Sequence, residues 1–160
     1  MIRLATINDL ASIVEIYNQT IPLRYVTADL SPVTVNSRIE WFNQFNEKRP
    51  LWVSENDGNI SGWASLRNFY GRPAYEKTVE IGIYIHEKYR KLGIGEELLL
   101  HAHRESHKIN IENILAFVFA NNNGSVNFFK KHGYLEYGLL PRVAEIDEKK
   151  VDLMILGYRL

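Results

Sequence analysis

Residues 78–85 read TVEIGIYI, and a basic connection leads from them to Gly93, Gly95 and the apolar-periodic run IGEELLLHAHRESHK. An alternating strand, a short glycine turn and a helix in that order constrain the chain more than any other stretch. They require a strand with a helix folded back over one of its faces. Val79, Ile81, Ile83 and Ile85 share the apolar face. Thr78, Glu80, Gly82 and Tyr84 share the other, which sets a carboxylate, a gap and a phenol in one row. That row reads either as a solvated face or as a site where a ligand lies in the space Gly82 leaves beside Glu80.

The turn RKLGIGEELLL has its own chemistry. Free N–H groups at a helix N-terminus, with the helix dipole behind them, attract anions. Glycine lets a ligand come close to the backbone, and Arg90 and Lys91 add positive charge at the rim. The physical reading is a phosphate or pyrophosphate cradle. An ordinary turn between strand and helix fits the two glycines equally well. GxxxxGK[ST] is absent, and GxGxxG is incomplete because Leu98 stands at its third glycine.

The remaining pattern surrounds this unit with further strands and helices. Strands are expected at Ile2–Ala5, Leu51–Glu55, Ile60–Asn68, Ile114–Phe119, Tyr134–Leu139 and Val151–Tyr158, with a hairpin at Asp57-Gly58. One helix follows a cap at Thr6 or Asn8. A second runs from a Thr34 cap through Ile39, Trp41, Phe42 and Phe45. The helix from Gly93 ends near Lys108, and another, capped by Asn122 or Asn123, ends at Gly133. The order indicates α/β or α+β architecture with a mixed sheet, and the 160 residues suit one domain, 1–160. The loop TIPLRYVTADLSP is long for a compact domain, a trait of functional loops.

Composition removes several classes. Without cysteine there are no disulfides, thiolate metal sites or cysteine nucleophiles, which fits a cytoplasmic protein. With 19 basic and 19 acidic residues, no charge excess calls for nucleic acid. No secretory pattern opens the chain, and no apolar run has membrane-spanning length, so no membrane role is expected.

Arg90, Gly93 and Gly95 fit the [RQ]xxGx[GA] signature of the GNAT superfamily of N-acetyltransferases. Over almost the whole chain, the stretches IRLATINDLASIVEIYN, VTADLSPVT, RIEWF, GRPAYEKTVEIGIYI and NNNGSVNFFKKHGY resemble its phosphinothricin-acetyltransferase-like branch. The resemblance implies a mostly antiparallel mixed sheet of six or seven strands, splayed in the middle and flanked by about four helices. It implies acetyl-CoA as co-substrate, with the pyrophosphate held by Arg90 and Lys91 and by backbone N–H groups of Leu92, Gly93, Ile94, Gly95 and Glu96. The backbone of Ile83, Tyr84 and Ile85 then binds the pantetheine as an added strand does. Asn122 and Ser125 match an Asn-x-x-Ser element beside it, and both also read as an ordinary helix start.

The expected reaction is attack of an amine on the thioester. An alkyl amine, with a pKa of about 10.4 as in lysine, must first lose a proton. Glu80 matches the family's glutamate and is assigned as base or amine-binding carboxylate, with Tyr84 as a candidate proton donor. By the same resemblance the acceptor lies against Tyr25, Thr27 and the segment from Tyr70 to Tyr75, where Arg72 and Tyr75 are candidate contacts. Arg72 also reads as a solvated arginine, and Tyr75 and Trp63 as packing residues. Arg142 is a further candidate for closing the pocket.

Two positions depart from the branch: Phe129 where relatives carry tyrosine or histidine, and Lys150 near a common tryptophan, with Asp152 retained. The expected acceptor is a small amine such as an amino acid, methionine sulfone, methionine sulfoximine or a phosphinothricin-like analogue. A protein or peptide acceptor and a non-catalytic CoA-binding module are the alternatives, and the resemblance implies a homodimer. His101, His103 and His107 share a helix. The i, i+4 pair 103 and 107 lacks an acidic or cysteine partner, so no metal is expected.

Overall fold

The structure is a computed structural model that describes all 160 residues. Seven strands form one sheet: β1 (Ile2–Leu4), β2 (Leu51–Asn56), β3 (Asn59–Asn68), β4 (Thr78–Ile85), β5 (Asn113–Phe119), β6 (Leu135–Ile146) and β7 (Lys149–Arg159). Four helices accompany them: α1 (Leu10–Asn18), α2 (Ile39–Phe42), α3 (Ile94–Lys108) and α4 (Asn123–Lys131). The strand order is β1-β2-β3-β4-β5-β7-β6, and every pair is antiparallel except β4–β5. Parallel strands need a crossover connection, and here α3 supplies it.

The alternation in β4 divides the molecule. Val79 and Ile81 are buried with Leu98, Leu99 and Ala102 of α3 in the main core, which also takes Val126 and Phe129 of α4. The opposite sheet face packs α1 and the residues around α2. There Ile13 and Ile16 meet Leu51, Val53 and Trp63, and the Trp63 indole donates to the Ile13 carbonyl at 3.1 Å. Helices thus cover both faces, in three layers.

The β4–β5 pairing is brief. Thr78, Val79 and Glu80 face Asn113, Ile114 and Leu115, and the pairing stops there. From Ile81 onward β4 stays paired with β3 alone, while β5 continues with β7. The sheet therefore splays, and Glu80 sits at the fork.

Two elements differ from expectation. The second helix does not run from Thr34 to Phe45. Thr34 and Ser37 cap each other's N–H groups, Asn36–Arg38 forms a 3-10 turn, and α2 is one turn long. Downstream, the Asn46 side chain accepts from the N–H groups of Lys48 and Arg49 at 2.9 and 3.1 Å, a local turn that competes with helix.

The last two strands are longer than predicted. Pro141 and Arg142 (φ 55°) lie within an irregularity between Leu140 and Ala144, and Asp147 and Glu148 form the turn with φ of 50° and 64°. β6 is the edge strand, where a proline at a bulge does not break the ladder.

Candidate active site

Above the fork, on the α1 face, lies a cavity of about 450 Å³. β3 gives it Trp63, Ser65 and Arg67, β4 gives Glu80, Gly82 and Tyr84, and β5 gives Phe117 and Phe119. The long loop after α1 closes one side with Val26, Thr27, Ala28 and Asp29. The row Glu80, Gly82, Tyr84 thus faces a cavity and not bulk solvent. A Cβ on Gly82 would stand 3.2 Å from the Ser65 hydroxyl, so glycine keeps this wall open.

Tyr84 is held between two rings. It stacks on Trp63 at a centroid distance of 4.4 Å and meets the edge of Tyr17 at 5.3 Å. Burial pushes its phenol above the ordinary value, so it stays protonated across the working pH range. Tyr17 bonds Thr27 and Asp29, and burial raises its pKa to about 12. Arg38 donates to Asp29 at 2.8 Å and lies 5.3 Å from the centre of the Tyr17 ring. Glu80 accepts one bond, from Arg67 Nη2 at 2.7 Å.

The second part of the site is the start of α3. Gly93 caps it at φ 84°, a left-handed conformation that only glycine adopts cheaply, and Lys91 shares that region at φ 62°. The first bond into the helix runs from Glu97 N–H to the Gly93 carbonyl at 3.0 Å. The N–H groups of Leu92, Gly93, Ile94, Gly95 and Glu96 have no acceptor in the protein. Gly95 answers to neither φ nor crowding. A Cβ there would come no closer than 3.7 Å to Phe128, so its absence leaves bare backbone beside the turn. Arg90 lies at the rim and reaches the Ile85 carbonyl at 3.4 Å.

The strand between turn and fork has a free edge. His86 N–H bonds Ser61 at 2.9 Å, and antiparallel alternation then directs the N–H and C=O groups of Ile83 and Ile85 away from β3, toward the gap. Tyr84 is opposite Trp63 in the ladder, so its backbone faces β3 and only its side chain reaches the cavity. Asn122 is buried and accepts the Ser125 N–H at 3.1 Å, capping α4 just beyond the end of β5.

Other expected residues lie elsewhere. Tyr25 is exposed and outside the cavity lining. Arg72 and Tyr75 border a separate open recess with Lys48 and Arg49. Arg142 is exposed on β6, its N–H bound by Asp152, while its neighbours Val143 and Ala144 reach the cavity. Phe129 points into the main core against Tyr134. His103 bonds the Tyr134 hydroxyl at 3.0 Å and stacks on Tyr158 at 4.5 Å. Sequence patterns did not find Asp29, Arg38 or Arg67. Each enters the cavity through packing between distant segments. For Asp29 the length of its loop was the one available signal.

The Acetyltransferase (GNAT) family matches residues 10–134 of the chain. The chain belongs to the GNAT acetyltransferases. Within the family it is 49% identical to the phosphinothricin acetyltransferase-like protein YwnH of Bacillus subtilis, over 99% of this chain and 98% of the relative. It is 26% identical to the L-amino acid N-acyltransferase MnaT of Escherichia coli, over 99% and 93%. The solved structure of YncA from Salmonella typhimurium with its cofactor acetyl-CoA is 25% identical. It matches with a TM-score of 0.93 over 100% of this chain and 93% of that one. The splayed sheet of this GNAT chain and the glycine turn beside it are therefore features of an N-acetyltransferase fold. No helix is long and apolar enough to cross a membrane.

Proposed function

We propose that the protein transfers the acetyl group of acetyl-CoA to the amine of a small amino acid or analogue, of the methionine sulfone, methionine sulfoximine or phosphinothricin type. One observation carries this reading. Glu80 stands at the fork of the splayed sheet, in the wall of a closed-sided cavity, on the same strand that leads to the bare N–H turn. The turn fits a pyrophosphate: five unpaired N–H groups, the positive end of α3 and room over Gly95. Arg90 and Lys91 add charge at its rim. Ile83 and Ile85 offer backbone groups to an extended amide-bearing arm, as an added strand would use them. Asn122 and Ser125 stand at the open end of the gap.

Acetyl-CoA supplies an activated acyl carbon. The amine nitrogen bonds to that carbon, the C–S bond breaks, and Glu80 takes the proton the amine sheds. An N–H group of the free β4 edge lies on the side where the carbonyl oxygen gains charge. The departing thiolate takes a proton from Tyr84 or water, since Phe129 has none to give. A thiol pKa of about 8.5 makes that a modest demand. Thr27, with Glu80, borders the acceptor. A cytoplasmic location and a homodimer go with this reading, the first fitting a chain without cysteine and the second implied by the branch it resembles.

Release of free thiol from acetyl-CoA across a panel of amino acids, peptides and simple amines tests the reading. Steady turnover with small amino acids is expected. Activity on peptides alone would replace it with a protein acetyltransferase. CoA binding without turnover would replace it with a binding module.

A further inference from the structure

The cavity holds two cationic side chains, Arg38 and Arg67. Arg38 is committed: it donates to Asp29 at 2.8 Å and covers the Tyr17 ring. Arg67 makes one hydrogen bond, from Nη2 to Glu80 Oε1 at 2.7 Å. Its Nε, Nη1 and second Nη2 hydrogens have no protein acceptor, and Glu80 Oε2 has no donor. Both side chains remain partly exposed, at 45% and 26%. β3 and β4 hold the two in direct register, so each is fixed to rigid backbone. Arg72, the other cation near this part of the sheet, lines a different recess.

We infer that Arg67 is the specificity-determining residue of the acceptor site, which binds the acid group of an α-amino acid while Glu80 takes its amine. This rests on the function proposed above and narrows its acceptor from small amines to those with an acid group one carbon away. An α-amino acid carries its ammonium and carboxylate on one carbon, so the two charges are spaced much as the Arg67 and Glu80 side chains are. The zwitterion can therefore lie along the ion pair with opposite charges facing, carboxylate on the free guanidinium donors and amine on the free Glu80 oxygen. A planar guanidinium suits a carboxylate or phosphinate better than a point charge does. An amine without the acid group leaves those donors unpaired and gains none of this binding.

The test compares methionine sulfone with its decarboxylated counterpart, 3-(methylsulfonyl)propylamine, at saturating acetyl-CoA, for wild type, R67Q and R67K. Wild type is expected to prefer the amino acid in kcat/KM. A hydrogen-bonded charge pair contributes about 10- to 100-fold, so R67Q should collapse that preference by about that factor, mainly through a higher KM for the amino acid. R67K should restore part of the preference. An equal loss for both compounds in R67Q would overturn the assignment, leaving Arg67 as a support for Glu80. A wild type that turns over the amine as well as the amino acid would overturn it too, with the acetyltransferase reading intact. A wild type that acetylates neither compound nor any other amine would sink both.

Discussion

Arg67 and Glu80 oppose each other across the β3–β4 ladder, joined by one 2.7 Å bond, at the residue where β4 loses its pairing with β5. The carboxylate is thus held by a neighbour without being covered by it. One oxygen is occupied and the other faces the cavity. The fork gives this position its meaning: below it β4 is an ordinary interior strand, and above it one edge of β4 is free.

Glu80→Gln keeps the shape and the Arg67 contact but cannot accept a proton. Turnover should fall by about 10²- to 10⁴-fold, the usual weight of a positioned base. The pH optimum should move upward, because the amine must then lose its proton to solvent. Rates of thiol release from pH 6 to 10 check this, and an unchanged profile would remove Glu80 from the base role.

Gly95 separates ligand binding from folding. A Cβ there meets nothing nearer than 3.7 Å, so Gly95→Val should leave Tm within a few degrees while covering the bare backbone of the turn. Titration calorimetry should show CoA binding at least about tenfold weaker. Gly93→Ala differs, because its φ of 84° strains any side chain; it should lose about 1 kcal/mol of stability whatever it does to binding. Equal CoA affinity in Gly95→Val and wild type would show that the turn does not hold the ligand.

Gly62 is a packing requirement. A Cβ there would lie 2.7 Å from Ile85 Cδ1 and 2.9 Å from the Tyr84 carbonyl oxygen. The second contact is backbone and cannot rotate away. Gly62→Ala should therefore cost about 1–3 kcal/mol, read as a lower midpoint in urea unfolding, and should displace the end of β4 that leads to the turn.

His103 gives the fold a pH dependence. Desolvation, then the charges of His132 and His107, lowers its pKa from the ordinary 6.5 to about 4. The unfolded chain binds this proton more readily than the folded one. The contribution is whole above about pH 6.5 and is lost as pH falls toward 4. For a half-exposed ring the loss is on the order of 1 kcal/mol. Asp9 does not blur the window: its Arg3 partner holds it below the carboxylate range, so its own loss begins at lower pH. In His103→Gln the fall in Tm between pH 6.5 and 4.5 should be shallower than in wild type. Parallel curves would refute this.

The sequence by itself determined the local units. Period-two alternation set the two faces of TVEIGIYI, and both ends of β4 follow it. Asp57-Gly58, with φ of 49° and 77°, is the hairpin its chemistry demands. The glycine signature marked the head of α3, although the reason for Gly93 proved to be its left-handed φ as much as ligand approach. Such features depend on a residue and its near neighbours, so they are written in the chain order.

Tertiary structure decided what depends on which distant residues meet. The register of β3 on β4, across a loop from Phe69 to Lys77, puts Arg67 rather than Arg72 against Glu80. The divergence of β5 after Leu115 opens the cavity, and the loop after α1 brings Asp29 to it. The turn around Asn46 ends α2 early, and the irregularity at Pro141 lets β6 continue where a proline reads as a stop. Pairing register and packing between far segments are set by the total burial and hydrogen bonding of the whole sheet. No short window of sequence contains that sum.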